Sequence, residues 1–346
     1  MQKKTFRRLG ASLAAGALVV SGLVATAPAQ AATRTIGIAY DLGGREIPGF
    51  NQLAYIGVKP ILDKNPAIKL IESQASNSDT DDTRAERLRL MVKKGANPII
   101  AVGFLYATAL GKVAKESPKV SFAIVDDGSV SAPNVTGLLF KEQEGSYLVG
   151  VAAALKSKTA NVGFIGGVKG ELIGRFEAGF IAGAKSVNSK IKIQSTYISN
   201  PPDFSGFNAP DKGYEAAKGM YQNGADVIYS AAGGTGAGTH KAAFELGKWS
   251  IGVDADEALY ASNAKYKTAI LTSMLKRVDT ACGIFVQAAL AGRAKAGTQI
   301  FGLAQKGLGY TTTGGYLSAA DIKAIDKAAL NIRTGKVVVP SDPTKA

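Results

Sequence analysis

Several charged and amide side chains in this chain directly follow short apolar runs, the position of a residue at the carboxyl end of a strand. Asp41 follows Thr35–Tyr40, Asp126-Asp127 ends Val120–Val125, and Asp254 and Lys276 close the runs Ile251–Val253 and Ala269–Ser273. In an open parallel sheet such residues point into the crevice where ligands sit. A buried carboxylate such as Asp126 accepts two hydrogen bonds from an amine or a base, and these charge-assisted bonds are strong. It serves equally well to tie down the backbone of a turn, and the spacing leaves both roles open. Asp254 and Lys276 can bracket vicinal hydroxyls, one accepting and the other donating, or they can pair with each other. Asn51, beside Phe50 where a helix begins, is expected to cap that helix with its amide facing the crevice.

Two further stretches add backbone and ring chemistry. Ala231-Ala232-Gly233-Gly234-Thr235-Gly236-Ala237-Gly238 follows a strand-like run and opens a helix, so its amides can approach a ligand closely. It lacks the Lys-Ser/Thr of a P-loop, and its glycine spacing is not the dinucleotide fingerprint. Phe207 lies in Pro201–Pro210, a segment too rich in Pro and Gly for regular structure, where a ring can stack on a flat ligand. Phe204 competes for that role. Phe176 and Phe180, four apart on a helix, read mainly as core.

Catalytic readings find less support. Asp126, Asp127, Asp254 and Asp256 could serve an exported hydrolase as acid, base or metal ligands, but they are spread over two strand ends in no compact motif. His240 is the only histidine, which excludes a His-rich metal site and weakens a Ser-His-Asp hydrolase. Cys282 is the only cysteine, so no intrachain disulfide forms, and Thr280–Phe285 reads as a buried helix position. No cofactor or metal is expected.

The elements that must position these residues alternate. Further strand-like runs are Ile68–Glu72, Pro98–Val102, Val162–Ile165, Ile191–Ile198 and Val227–Ser230. Helical periodicity marks Asp82–Lys94, Ala107–Glu116, Glu144–Lys156, Phe176–Val187, Lys212–Asn223, Thr239–Gly247 and Val278–Ala291. Short strands apolar on both faces, joined by helices, predict doubly wound parallel sheets. The pattern restarts near Val162 after the extended segment Asn134–Phe140, so two similar lobes face each other across a cleft, and hinge closure is the expected motion.

The start of the chain supplies an address. Lys3, Lys4, Arg7 and Arg8 precede the apolar run Leu9–Ala25, and Ala29-Gln30-Ala31 offers a small-x-small cleavage site, so residues 1–31 read as a signal peptide cleaved after Ala31. No cysteine stands there to carry a lipid, and the protein is expected outside the cytoplasm: extracellular, envelope-associated or periplasmic. The formal charge of +14 falls to +10 once the four leader cations leave. The remaining lysines and arginines are scattered, with no basic run and no aromatic interleaving, which argues for a solvated face and against nucleic acid.

Together these residues carry a resemblance. Asp41 with Gly43-Gly44 and Phe50-Asn51, Phe122–Asp126, Gly163–Gly167 with Phe176, Gly179, Phe180 and Gly183, Gly224–Asp226, Ala232–Gly236, Ile251–Asp256 and Leu271–Arg277 occur in an order similar to the basic membrane protein family of ABC-transporter substrate-binding proteins, the purine-nucleoside-binding group. The resemblance spans nearly the whole chain after the leader. It implies a type I periplasmic-binding-protein fold without catalytic activity, two doubly wound lobes joined by a hinge; the lobes are expected at residues 32–138 plus 257–305 and 139–256 plus 306–346, in a monomer. It implies Asn51 and Asp126 on the base, Phe207 stacked on it, and Gly233, Asp254 and Lys276 at the ribose, with Asp41 beside them. The implied partners are a purine nucleoside or similar small polar ligand and an ABC permease. Arg45-Glu46-Ile47-Pro48-Gly49 stands where relatives usually have an acidic and polar stretch.

Overall fold

The computed structural model describes residues 34–346, and the leader read in residues 1–31 lies outside the described residues. The chain begins with β1 (Thr35–Leu42), α1 (Phe50–Lys64), β2 (Lys69–Ala75), α2 (Asp81–Lys93), β3 (Ile99–Ala101), α3 (Ala107–Glu116), β4 (Phe122–Val125) and β5 (Val135–Phe140). It continues through α4 (Glu142–Lys156), β6 (Asn161–Val168), α5 (Glu171–Val187), β7 (Lys192–Ser199), α6 (Pro210–Gln222), β8 (Val227–Ala231), α7 (Gly236–Glu245), β9 (Trp249–Asp254) and β10 (Ile270–Lys276). It closes with α8 (Val278–Leu290), β11 (Gly297–Phe301), β12 (Leu308–Tyr310) and α9 (Ala319–Arg333).

The strands form two six-stranded sheets, ordered β11-β5-β4-β3-β1-β2 and β12-β10-β9-β8-β6-β7. Pairing is parallel except between β10 and β12. Burial follows position in the sheet. Central β3, β4, β6 and β8 are buried along their whole length, whereas edge strands β2, β7 and β11 alternate toward solvent, as expected when helices cover both faces. One apolar core runs through both lobes, and smaller clusters around Leu88, Tyr106 and Phe122, and around Met220, Tyr221 and Ile228, fill the outer layers.

The crossings between sheets differ in part from the expected boundaries. The chain leaves the first sheet after Phe140, returns after Lys276 and leaves again after Phe301. Residues 257–276 therefore belong with the second sheet and not the first. The physical reason is pairing: β10 lies parallel beside β9, with Ser273 opposite Gly252 and Leu275 opposite Asp254, and consecutive strands usually neighbour each other. After β10 the chain crosses and α8 packs on α1.

The glycines of α5 have a definite role beside the hinge. A Cβ on Gly179 would lie 2.2 Å from the Gln143 carbonyl oxygen, and one on Gly183 would lie 2.1 Å from that of Tyr147. Helices α4 and α5 thus touch backbone to backbone, which only residues without a side chain permit. That contact fixes α4, and with it the residues that open α4 at the first crossing.

Candidate ligand-binding cleft

Asp41, Asn51, Asp126, Phe207, Gly233, Asp254 and Lys276 all line one cavity between the lobes, with about 810 Å³ of free space including its open mouth. The two lobes contribute equivalent positions. β4 and β9 hold the same place in their sheets, and the carboxylates that end them, Asp126 and Asp254, both take left-handed backbone conformations with φ of 65° and 67°. Asp tolerates that region better than most residues, and the turn aims both side chains inward. Gly103 and Gly233, after the equivalent strands β3 and β8, likewise have positive φ.

Asn51 lines the cavity but does not cap its helix. The residue before α1 is Gly49, which makes no side-chain cap. Asn51 instead fastens α1 to the end of β1: its Oδ1 accepts from the Asp41 amide at 3.0 Å, and its Nδ2 donates to the carbonyls of Leu42 at 2.9 Å and Asp41 at 3.3 Å. Both amide hydrogens are used. What Asn51 has left for a ligand is one acceptor lone pair.

Lys276, the last residue of β10, is 1% exposed. Its Nζ donates to Asp126 Oδ2 across the cleft at 2.7 Å and lies 3.1 Å from Glu142 Oε1. The rings of Phe50, Phe140 and Phe176 surround the ammonium with centroids 5.4, 5.1 and 5.3 Å away, within cation–π range. It makes no ion pair with Asp254. Phe176, expected mainly as core, both packs in the core and forms part of this cage and of the cavity wall. Phe180 is core alone, against Phe164 and Tyr229.

Phe207 and Phe204 divide the work on their loop. Phe207 closes a short helical turn, Ser205–Phe207, and lies on Gly167, where an added Cβ would come within 2.5 Å of its ring. Thr235 Oγ1 clips the loop to the glycine-rich segment, donating to the Gly206 carbonyl at 2.7 Å and accepting from the Ala209 amide at 2.7 Å. Phe204 meets Phe104 of the other lobe edge-on at 6.0 Å and helps line a wider opening next to the cavity. The cavity is also lined by Phe50, Phe104, Leu172, Ile173, Ile47 and Pro48, so the segment Arg45–Gly49 supplies apolar wall through Ile47 and Pro48.

Burial dominates the electrostatics. It pushes the Asp254 carboxyl up to about 7, partly offset by the Lys276 ammonium, and the Asp41 carboxyl up to about 6. For Lys276 burial works to remove the proton, but Asp126, Glu142 and Asp254 outweigh it and hold the ammonium above the ordinary lysine range. The other carboxylates considered for catalysis serve turns. Asp127 accepts from the Ser129 amide and hydroxyl, and Asp256 accepts from the Ala258 amide and from Thr313. His240 is wholly buried between Ser250 Oγ and Glu257 Oε2, each at 2.8 Å, away from the cavity. Cys282 lies in the core. Among the described residues no three His, Cys, Asp or Glu side chains converge as a metal set.

Two doubly wound lobes enclosing a cleft lined by carboxylates and aromatic rings define the type I periplasmic-binding fold. The structure of an ABC-transporter solute-binding protein from Aeropyrum pernix superposes with a TM-score of 0.77 over 89% of this chain and 94% of that one, at 24% identity. The family model described as ABC transporter substrate-binding protein PnrA-like matches residues 40–342, and the chain belongs to this Bmp family. Among its relatives, a CD4+ T-cell-stimulating antigen of Listeria monocytogenes is 34% identical over 99% of this chain and 100% of its own. The ABC transporter nucleoside-binding protein BmpA of Lactococcus lactis is 33% identical over 88% of each.

Proposed function

We propose that this protein captures a purine nucleoside in the cleft and presents it to an ABC permease, without transforming it. The observation that carries the reading is the donor and acceptor balance of the cavity. Asp126 is 9% exposed and its Oδ1 has no hydrogen-bond partner; Asn51 offers only a lone pair, and Asp41 and Asp254 add two further carboxylates. The one ammonium is already shared between Asp126 and Glu142. A ligand that fits must be flat enough for Phe207, must bring hydrogen-bond donors, and must carry no negative charge. A purine nucleoside does so, its base N–H groups serving Asp126 and its ribose hydroxyls serving Asp254 and a hydrogen of Lys276 not given to Asp126. The name of the Lactococcus relative supports the same ligand class.

The leader fits this role, with cleavage after Ala31 and action outside the cytoplasm; no helix among the described residues is long and apolar enough to cross a membrane. A thermal-shift screen of nucleosides, free bases, nucleotides and sugars tests the proposal, because a ligand bound only by the folded state raises its melting temperature. Purine nucleosides should give the largest shift and nucleoside monophosphates little. A larger shift with a neutral sugar would move the assignment to a sugar-binding protein of the same fold.

A further inference from the structure

The charges around Lys276 extend beyond the cleft wall. Arg175 on α5 donates from Nε to Glu142 Oε2 at 2.7 Å and approaches Glu171 at 3.4 Å, while the other oxygen of Glu142 faces Lys276. Glu142 is 0% exposed, which is rare for a glutamate unless it is paired. It is the first residue of α4, where the helix dipole favours negative charge, and it follows directly on the first crossing.

Lys276 has two carboxylate partners, and they differ in kind. Asp126 belongs to the first lobe and faces the cavity, so its contact with the ammonium depends on lobe position and on what occupies the cleft. Glu142 belongs to the same lobe as Lys276, and Arg175 holds it from behind. The three phenyl rings attract a cation but accept no full hydrogen bond, and a buried lysine without a carboxylate readily loses its proton. The remaining titratable or charged neighbours are Asp254 from β9 facing the ammonium, with Asp41, Glu257 and Arg175 behind the first ring of groups.

We propose that Glu142 is a positioning residue that keeps Lys276 charged and aimed into the cleft independently of Asp126, with Arg175 holding Glu142 in place. The consequence for binding rests on the nucleoside reading; the consequence for Lys276 itself does not.

Titration of the ligand-free protein, followed by the 13Cε resonance of Lys276 and assigned by its loss in Lys276→Arg, is the direct test. In the unsubstituted protein the ammonium should persist beyond about pH 10, and in Glu142→Gln its midpoint should fall by about one to two units. An unchanged midpoint overturns the proposal. Glu142→Asp, which keeps the charge beside Arg175 but withdraws it from Lys276, should give a smaller fall and carries the same test if Glu142→Gln does not fold. Calorimetry with guanosine and adenosine adds the second reading: Glu142→Gln should bind roughly tenfold more weakly near pH 6.5 and weaker still near pH 9, where its lysine begins to lose charge while that of the unsubstituted protein does not. A loss equal at both pH values would mark Glu142 as structural only. If the unsubstituted protein binds no nucleoside, the cleft assignment fails while the carbon titration still decides the role of Glu142.

Discussion

Asp126 stands in two relationships at once, one oxygen on Lys276 and the other with no partner. Its removal therefore leaves the buried ammonium with Glu142 as its one paired carboxylate and takes an acceptor from the cavity, and truncating one partner of such a pair costs about 2–5 kcal/mol. Asp126→Ala should abolish nucleoside binding in calorimetry while circular dichroism shows the fold retained; unchanged affinity would remove Asp126 from the site. Asp254 carries a prediction about pH. Because its carboxyl rises from 3.8 to about 7 on folding, the folded state holds a proton that the unfolded chain has released over that window, and stability must fall as pH rises through it. The melting temperature of ligand-free protein should decline between about pH 5 and 7.5, and Asp254→Asn should flatten the decline. Sequence made the strand-end carboxylates and Lys276 visible because each follows an apolar run. It did not show the bonds of Asn51, which depend on where α1 begins, nor Glu142, whose position at a helix start looks like an ordinary solvent-facing charge until α5 and β10 pack over it.

At the level of elements, the glycine motifs of the sequence acquire causes. Gly183→Ala would drive a methyl group into the Tyr147 carbonyl of α4, and overpacking of this kind costs about 1–3 kcal/mol. Urea unfolding should show that loss, and a neutral result would mean that α4 and α5 can slide apart freely. Gly167→Ala acts locally, because the new methyl group overlaps the Phe207 ring. If Phe207 stacks on the base, nucleoside binding should weaken by up to about tenfold with little change in unfolding midpoint, since an aromatic stacking contact contributes about 0.5–1.5 kcal/mol. Strands buried on both faces, such as β4, β6 and β8, are legible as apolar runs. Edge strand β11, reading Gly-Thr-Gln-Ile-Phe with only its last residue buried, and the three-residue β12 offer no such run. None of the periodic segments read from the sequence lies beyond Ala291, so α9 was found only in the structure, with its Ser318 and Asp321 capping box.

For the whole molecule, repetition of one strand-loop-helix unit made two lobes legible, but long-range pairing decided where the chain crosses between them. The placement of β10 beside β9 brings Lys276 to the second crossing, within reach of Asp126 on the first lobe and of Glu142 just past the first crossing. Lys276 with Asp126 and Phe104 against Phe204 hold the two lobes in contact, and a ligand that touches both walls favours the arrangement in which it makes every contact. Calorimetric titration of the purified protein with purine nucleosides, with the mixture then assayed for free base and ribose, tests this account most directly. The expected result is saturable binding of one nucleoside per chain, recovered intact, and no heat from Asp126→Ala; absence of binding by any purine nucleoside, or release of base and ribose, would contradict it.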